Sequence, residues 1–270
     1  MHLSPAPRPP PALPSPPPLH TPYYCEENVH LLLQSLTTSH CQAYALFITN
    51  TPRTALLFHQ KASPPERADQ EHYVVWDYHV VAATVEKDGS QWVWDQDSRL
   101  GCPVELQEYL ETTFRPDLFA LGVLPSTLAS RFRLVAAQDL FGNFASDRSH
   151  MVGSAFLGFS SSARRSALTS PPSSSAPIST SALISLISAI SSFIVTTFPR
   201  TNLHPPPTAL PASPRPSSPR PRETMNLFER WLDVRMGSEL EGEGRREGFG
   251  VVLKDVGELL GWSGWEDRRE

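Results

Sequence analysis

The sequence predicts one compact domain of the α/β (α+β) class, interrupted by a long low-complexity insert. Three observations predict it. Apolar residues recur at helical spacing over 25–36, β-rich runs follow at 43–49, 73–85 and 91–95, and most prolines lie in two stretches outside these. Of the 28 prolines, ten fall in residues 1–22 and twelve in 153–223. Only six remain in the other 177 residues, which is enough chain for one well-buried core. The expected division is a disordered proline-rich tail over 1–22, a first part of the domain over 23–152, a disordered Ser/Pro-rich insert over 153–223, and a C-terminal part of the domain over 224–270.

Val29, Leu32, Leu33 and Leu36 are spaced i, i+3, i+4, i+7 and predict a helix over 25–36. Glu26 and Glu27 fall in its first turn, where carboxylates favour the positive end of the helix dipole. Cys25 is then at or just before the helix N-terminus. Residues 43–49 predict a strand, Asn50-Thr51-Pro52 a turn and 54–60 a second strand, followed by a polar loop over 61–71. Residues 73–85 are β-rich and too apolar for a sheet edge. The turn signal Lys87-Asp88-Gly89-Ser90 separates them from a strand at 91–95. Residues 104–114 predict a helix with Leu106, Tyr109 and Leu110 inward, 131–136 a short strand and 141–151 a polar loop with aromatic anchors. After the insert, 225–228 begins a short helix, and 250–260 predicts a strand and then a helix.

A net charge of -5 and the lack of a Lys/Arg-rich stripe argue against nucleic acid as a partner. Cys25, Cys41 and Cys102 form no CxxC pair, and an odd count argues against a disulfide framework, so a reducing compartment is the simpler reading. The proline-rich N-terminus lacks the apolar core of a secretory signal. The uncharged run 178–198 is long enough to span a bilayer, yet nine of its 21 residues are Ser or Thr. A membrane partner is therefore not expected.

Cleaving an amide by nucleophilic catalysis needs a thiolate or activated hydroxyl, a base to return the proton to the leaving nitrogen, and a group that orients the base. Cys25 meets the first need, because a helix dipole and a nearby histidine favour the thiolate and lower its pKa. Alone, a cysteine near a helix start is more often a packing residue. His79, inside Trp76-Asp77-Tyr78-His79-Val80-Val81, reads alone as a core histidine bonded to a carbonyl. Asp95, ending Trp92-Val93-Trp94-Asp95, reads alone as a strand-end cap. A buried carboxylate needs a partner, and His79 is the candidate. An antiparallel hairpin with an odd-length loop puts both on one face. A three-residue loop at Asp88-Gly89-Ser90 would leave them about four positions out of register, roughly 13 Å. Direct pairing requires a longer loop within 84–90, or a bulge. The order Cys, His, Asp, with Cys on a helix and the others on successive strands, resembles papain- and transglutaminase-type enzymes.

Longer motifs narrow this. Tyr24-Cys25-Glu26-Glu27-Asn28, the run from Ala43 to Asn50, Val75-Trp76-Asp77-Tyr78-His79-Val80-Val81 and the run from Asn143 to Met151 resemble the protein N-terminal glutamine amidohydrolase family. Trp94-Asp95-Gln96-Asp97 is similar to that family's Tyr-Asp-x-Asp. Met225-Asn226-Leu227 and Gly248-Phe249-Gly250-Val251-Val252 are similar to its C-terminal portion. The resemblance covers 23–152 and 224–262. It implies a compact α/β fold with a Cys-His-Asp triad, no metal and no cofactor. It further implies conversion of N-terminal glutamine to glutamate with release of ammonia, feeding the N-degron route. By position, Cys25 would be the nucleophile, His79 the acid/base and Asp95 its orienter. Partners would be proteins or peptides with N-terminal glutamine, met by a monomer in the cytoplasm and also in the nucleus.

Recognising a free α-ammonium needs carboxylates or carbonyls at the pocket, and Glu26, Glu27, Asp77 and Asp147 are the candidates. Each reads alone as a solvated or capping residue, and Asp147-Arg148 equally as an ion pair closing its loop. Cys41 and Cys102 read as inert. Two departures from the family stand out. About 70 residues separate His150-Met151 from Met225-Asn226, as a genuine loop or a translated retained intron, and 239–247 is nearly all Glu, Gly and Arg. Other readings stay open: another triad cysteine enzyme, such as a transglutaminase or peptidase, or a non-enzymatic proline-rich interaction protein.

Overall fold

The structure is a computed structural model and describes residues 9–37, 41–145, 227–236 and 249–262. The expected insert over 153–223 lies outside the described residues, as does Asp147. The described part is an α+β fold built on a six-stranded antiparallel sheet.

In chain order the elements are α1 (Cys25–Leu36), β1 (Gln42–Thr49), β2 (Ala55–Leu57), β3 (Val74–Trp76), β4 (His79–Val85), β5 (Gln91–Trp94), β6 (Val104–Glu105), α2 (Leu106–Phe114), α3 (Pro116–Ala120), β7 (Arg131–Ala136), α4 (Ala137–Asn143), a π-helical turn at Leu227–Trp231, β8 (Val251–Leu253) and α5 (Val256–Leu260). The large sheet runs β6-β5-β4-β1-β7-β8, and β2 and β3 form a separate pair. No helix among the described residues is long and apolar enough to cross a membrane.

Strand alternation gives the sheet two apolar faces. Ala43, Ala45 and Phe47 of β1 join Val80 and Ala82 of β4 on one face, under Val29, Leu32, Leu33 and Leu36 of α1 and Leu140 of α4. Tyr44, Leu46 and Ile48 join Val81, Ala83 and Val85 on the other, under Leu106, Tyr109, Leu110 and Phe114 of α2 and Leu259 of α5. Covering both faces explains why β1 and β4 read as near-continuous apolar runs. Buried Asn50 fixes the turn after β1: its amide donates to the carbonyls of Thr127 and Ala129 and accepts from the Thr54 N–H.

The run 73–85 reads as one stretch and folds as two strands in different sheets. The break falls at Asp77-Tyr78. Exposed Asp77 turns its Oδ1 back onto the Tyr78 N–H at 3.0 Å, and Thr49 Oγ1 donates to the Asp77 carbonyl at 2.7 Å. His79 therefore opens β4. The run 54–60 likewise gives only the three residues of β2, and the 61–71 loop contains a 3-10 turn over Pro65–Gln70. The expected loop over 141–151 begins later, since α4 continues to Asn143.

The chain beyond residue 226 completes both layers. Trp231 is fully buried and stacks between Phe47, at 5.6 Å, and Phe249, at 4.6 Å. Buried Arg133 of β7 donates to the carbonyls of Phe249 and Asp233. Gly250 then lets β8 dock on β7. Its φ is +71°, and a Cβ there would meet the Leu134 carbonyl oxygen at 2.1 Å. Gly250→Ala is expected to destabilise the fold by at least about 1–3 kcal/mol, the range for a residue forced into sparsely populated backbone space. Urea denaturation checks this, and an unchanged midpoint would contradict the β7–β8 docking.

Candidate functional site

The β4–β5 register decides whether His79 and Asp95 can meet. Ala82 pairs with Trp94 and Val85 with Gln91, which leaves a five-residue loop over 86–90. The loop is odd, so the two residues share a face, and the longer loop shortens their offset to two positions. Asp95 closes that gap by lying just past the end of β5, where the chain turns back. Its Oδ1 takes the Asp97 N–H at 2.9 Å, and its carbonyl takes the Ser98 N–H. His79 Nε2 and Asp95 Oδ1 are 3.1 Å apart, and both residues are only 2% exposed.

A third hydrogen bond holds the carboxylate: the Tyr109 hydroxyl of α2 donates to Asp95 Oδ2 at 2.8 Å. Burial works against ionisation of Asp95. The His79 charge and the bonds from His79, Tyr109 and the Asp97 N–H outweigh it and hold the pKa below the ordinary carboxylate value. Burial also works against a charged His79. Asp95, with Asp97 and Glu26 adding, holds the imidazole above its ordinary 6.5. Trp76 stacks on the His79 ring at 5.9 Å with 13° between planes, and Tyr23 meets Trp76 edge-on.

Cys25 is the first residue of α1 and half-buried. Its thiol donates to Glu26 Oε2 at 3.5 Å, and the backbone of Val80, the residue after His79, favours the thiolate. The sequence leads one to expect a lowered thiol pKa, and the structure gives the opposite. Burial pushes Cys25 well up, and the carboxylates of Glu26 and Asp97 push it further, against the smaller help of the Val80 bond. The helix start brings its own acidic residue to the sulfur, and that local charge adds to the larger effect of burial.

Glu26 and Glu27 are buried in the first turn of α1, at 2% and 8% exposure, so neither is simply solvated. The Tyr78 hydroxyl hydrogen-bonds Glu26. Asp77 points to solvent. Cys41 and Cys102 are half-buried, with thiols raised chiefly by burial, Cys102 to about 11. Asp97, Tyr109, Tyr78 and His20 escape the sequence reading as site residues. Asp97 is in the quoted motif, but Tyr109 reads only as an inward-facing helical residue. His20, in the proline-rich segment, places Nε2 3.0 Å from Asp97 Oδ1, while Thr21 and the Asn28 side chain exchange two hydrogen bonds. His79, Asp95 and Asp97 offer metal-type donor atoms within 4.8 Å of one another. An ion there would have to displace the hydrogen bonds that Asp95 already accepts.

The electrostatics can be read directly. In an NMR titration His79 should protonate with a pKa above 6.5. In Asp95→Asn burial is left without its main opponent, so the pKa should drop below that of the parent protein. An upward shift would contradict the pairing.

Residues 20–196 match the family model described as N-terminal glutamine amidase. Three curated relatives carry the name protein N-terminal glutamine amidohydrolase. The chain is 39% identical to that of Oryza sativa subsp. indica over 49% of this chain and 58% of the relative. It is 42% identical to that of Arabidopsis thaliana, over 49% and 60%. It is 34% identical to that of Homo sapiens, over 48% and 62%. The match thus spans about 60% of the length of these relatives. On the extent of the family match, this chain belongs to the N-terminal glutamine amidase family.

Proposed function

We propose that the chain hydrolyses the side-chain amide of an N-terminal glutamine on proteins or peptides, giving glutamate and ammonia. The observation that carries this reading is the buried His79–Asp95 pair, in a chain of this family whose Cys25 heads α1. Cys25, His79 and Asp95 act as a papain/transglutaminase-like triad.

Asp95 binds His79 through Nε2, which leaves Nδ1 as the ring atom that exchanges protons. Neutral His79 takes the Cys25 proton as sulfur attacks the δ-carbon of the substrate. The oxyanion that forms is held by the Cys25 backbone N–H, one of the first four in a helix, which lack intrahelical acceptors. His79 then gives its proton to the amide nitrogen. The C–N bond breaks, ammonia leaves and a thioester remains. Water attacks the thioester and passes a proton to His79. The C–S bond breaks, the sulfur recovers the proton, and glutamate is released.

The sign of the pH dependence follows from the raised His79 and Cys25. The imidazole must be neutral to accept the thiol proton, so kcat/KM should rise with pH through an inflection above 6.5. Constant activity down to pH 5 would point instead to a preformed thiolate–imidazolium pair.

Cys25→Ser should lose at least about 100-fold in ammonia release while remaining folded, because serine is a far weaker nucleophile in a site not tuned for it. Cys41→Ser and Cys102→Ser should be nearly silent. Four peptides with a common tail test the substrate: Gln-first, Asn-first, acetyl-Gln-first and Gln-second. Only Gln-first should release ammonia at a useful rate. Blocked or internal glutamine lacks the α-ammonium, and asparagine is one methylene short of near-attack distance. Comparable turnover of acetyl-Gln or Gln-second would overturn the N-terminal reading.

A further inference from the structure

The site is richer in negative charge than its chemistry asks for. Glu26, Asp95 and Asp97 all act on the His79 imidazole, and Glu26 and Asp97 both act on Cys25. Asp95 has a role in orienting His79. Glu26 does not share it. It is 2% exposed, its Oε2 is 3.5 Å from the nucleophilic sulfur, and Tyr78 holds it there. A carboxylate beside a thiol opposes the thiolate, so this position hinders the resting nucleophile. A first-turn acid that served only the helix dipole could stay in water. Glu26 is buried against the sulfur instead, where it accepts from the Cys25 thiol and bonds the Tyr78 hydroxyl.

From this geometry, and on the proposed glutamine amidase activity, we infer that Glu26 reads the reacting carboxamide: it accepts an N–H of the substrate's δ-amide and turns away the δ-carboxylate of the product. The distances favour the amide end of the substrate. At near-attack geometry the δ-carbon lies about 3–3.5 Å from sulfur, and the amide nitrogen is about 1.3 Å from that carbon. A carboxylate oxygen 3.5 Å from the same sulfur comes within hydrogen-bond reach of that nitrogen when the amide turns to its side. The α-ammonium is four bonds from the δ-carbon, at roughly 5 Å when extended, and belongs to more distant acceptors. The chemistry agrees. An ionised carboxylate only accepts hydrogen bonds. Glutamine offers it two N–H donors, whereas glutamate offers none and adds a like charge. The same contact keeps the leaving nitrogen close to the atom that protonates it. It also expels the acid once water has cleaved the thioester.

The test measures binding apart from turnover. In Cys25→Ala, which cannot form the thioester, a Gln-first peptide should bind at least tenfold more tightly than the matched Glu-first peptide. In Cys25→Ala/Glu26→Gln the neutral amide can donate to a carboxylate, so the preference should fall below about threefold or invert. Glu26→Asp on the same background keeps the charge and should keep the preference. In the unmutated protein, which needs no variant to fold, Glu-first should compete at least tenfold more weakly than Gln-first. An unchanged Gln/Glu ratio in the Glu26→Gln variant would overturn the inference. So would equal competition by the two peptides, or loss of discrimination against acetyl-Gln instead, which would assign Glu26 to the α-ammonium. Failure of the unmutated protein to release ammonia from Gln-first would strike the proposed activity itself. A protein that turns over Gln-first yet binds Glu-first equally well would refute only the role of Glu26.

Discussion

Asp95 is a carboxylate kept ionised inside a protein, and the surrounding structure is organised by that requirement. Isolated in an apolar interior, it would take up a proton. Here it is met from three directions: by the imidazole at the head of β4, by a hydroxyl from α2, and by a backbone N–H of its own turn. Those donors come from elements that must already be packed to deliver them. The pair is thus a product of the assembled sheet and helices, and His79 acquires its basicity only when the fold is complete.

Much of this was legible in the sequence, and the gaps have physical causes. The helix from Cys25 to Leu36 is bounded in the structure as its apolar spacing predicts. The parity of the β4–β5 hairpin also follows from an odd loop, since side-chain direction has a period of two. The actual register does not follow. Glu86, Lys87, Asp88, Gly89 and Ser90 admit several turns, and the choice of loop length depends on pairing farther along the strands. The break before His79 is hidden for a related reason. Trp76 and Tyr78 are as apolar as the strands on either side, and the bend comes from the Asp77 side chain on the Tyr78 N–H and from the Thr49 bond to the Asp77 carbonyl, from another strand.

The ionisation of Cys25 shows a further limit. A helix start is generically favourable for a thiolate, but the effect fades within a turn and is modest beside burial of the sulfur and a carboxylate hydrogen-bonded to it. Glu26 reads from sequence as a first-turn acid serving the dipole. That it folds inward, against the sulfur and Tyr78, is decided by how α1 is laid on β4. Tyr109 is similar. Its inward direction follows from periodicity, yet whether its hydroxyl finds an apolar neighbour or the Asp95 carboxylate depends on where α2 crosses the sheet.

The aromatic stack around Trp231 has a consequence for the architecture of the gene product. Phe144, just past α4, and Trp231 lie with ring centroids 5.5 Å apart, although they are 87 positions apart in the chain. The body of the fold thus brings together the two points between which the long intervening sequence runs. The entropic cost of joining two fixed points grows only logarithmically with the length of chain between them, by about 0.6 kcal/mol for each doubling. Sequence can therefore be gained or lost between these points over evolutionary time with little charge to the sheet. The described site residues, which all precede them, stand apart from that traffic.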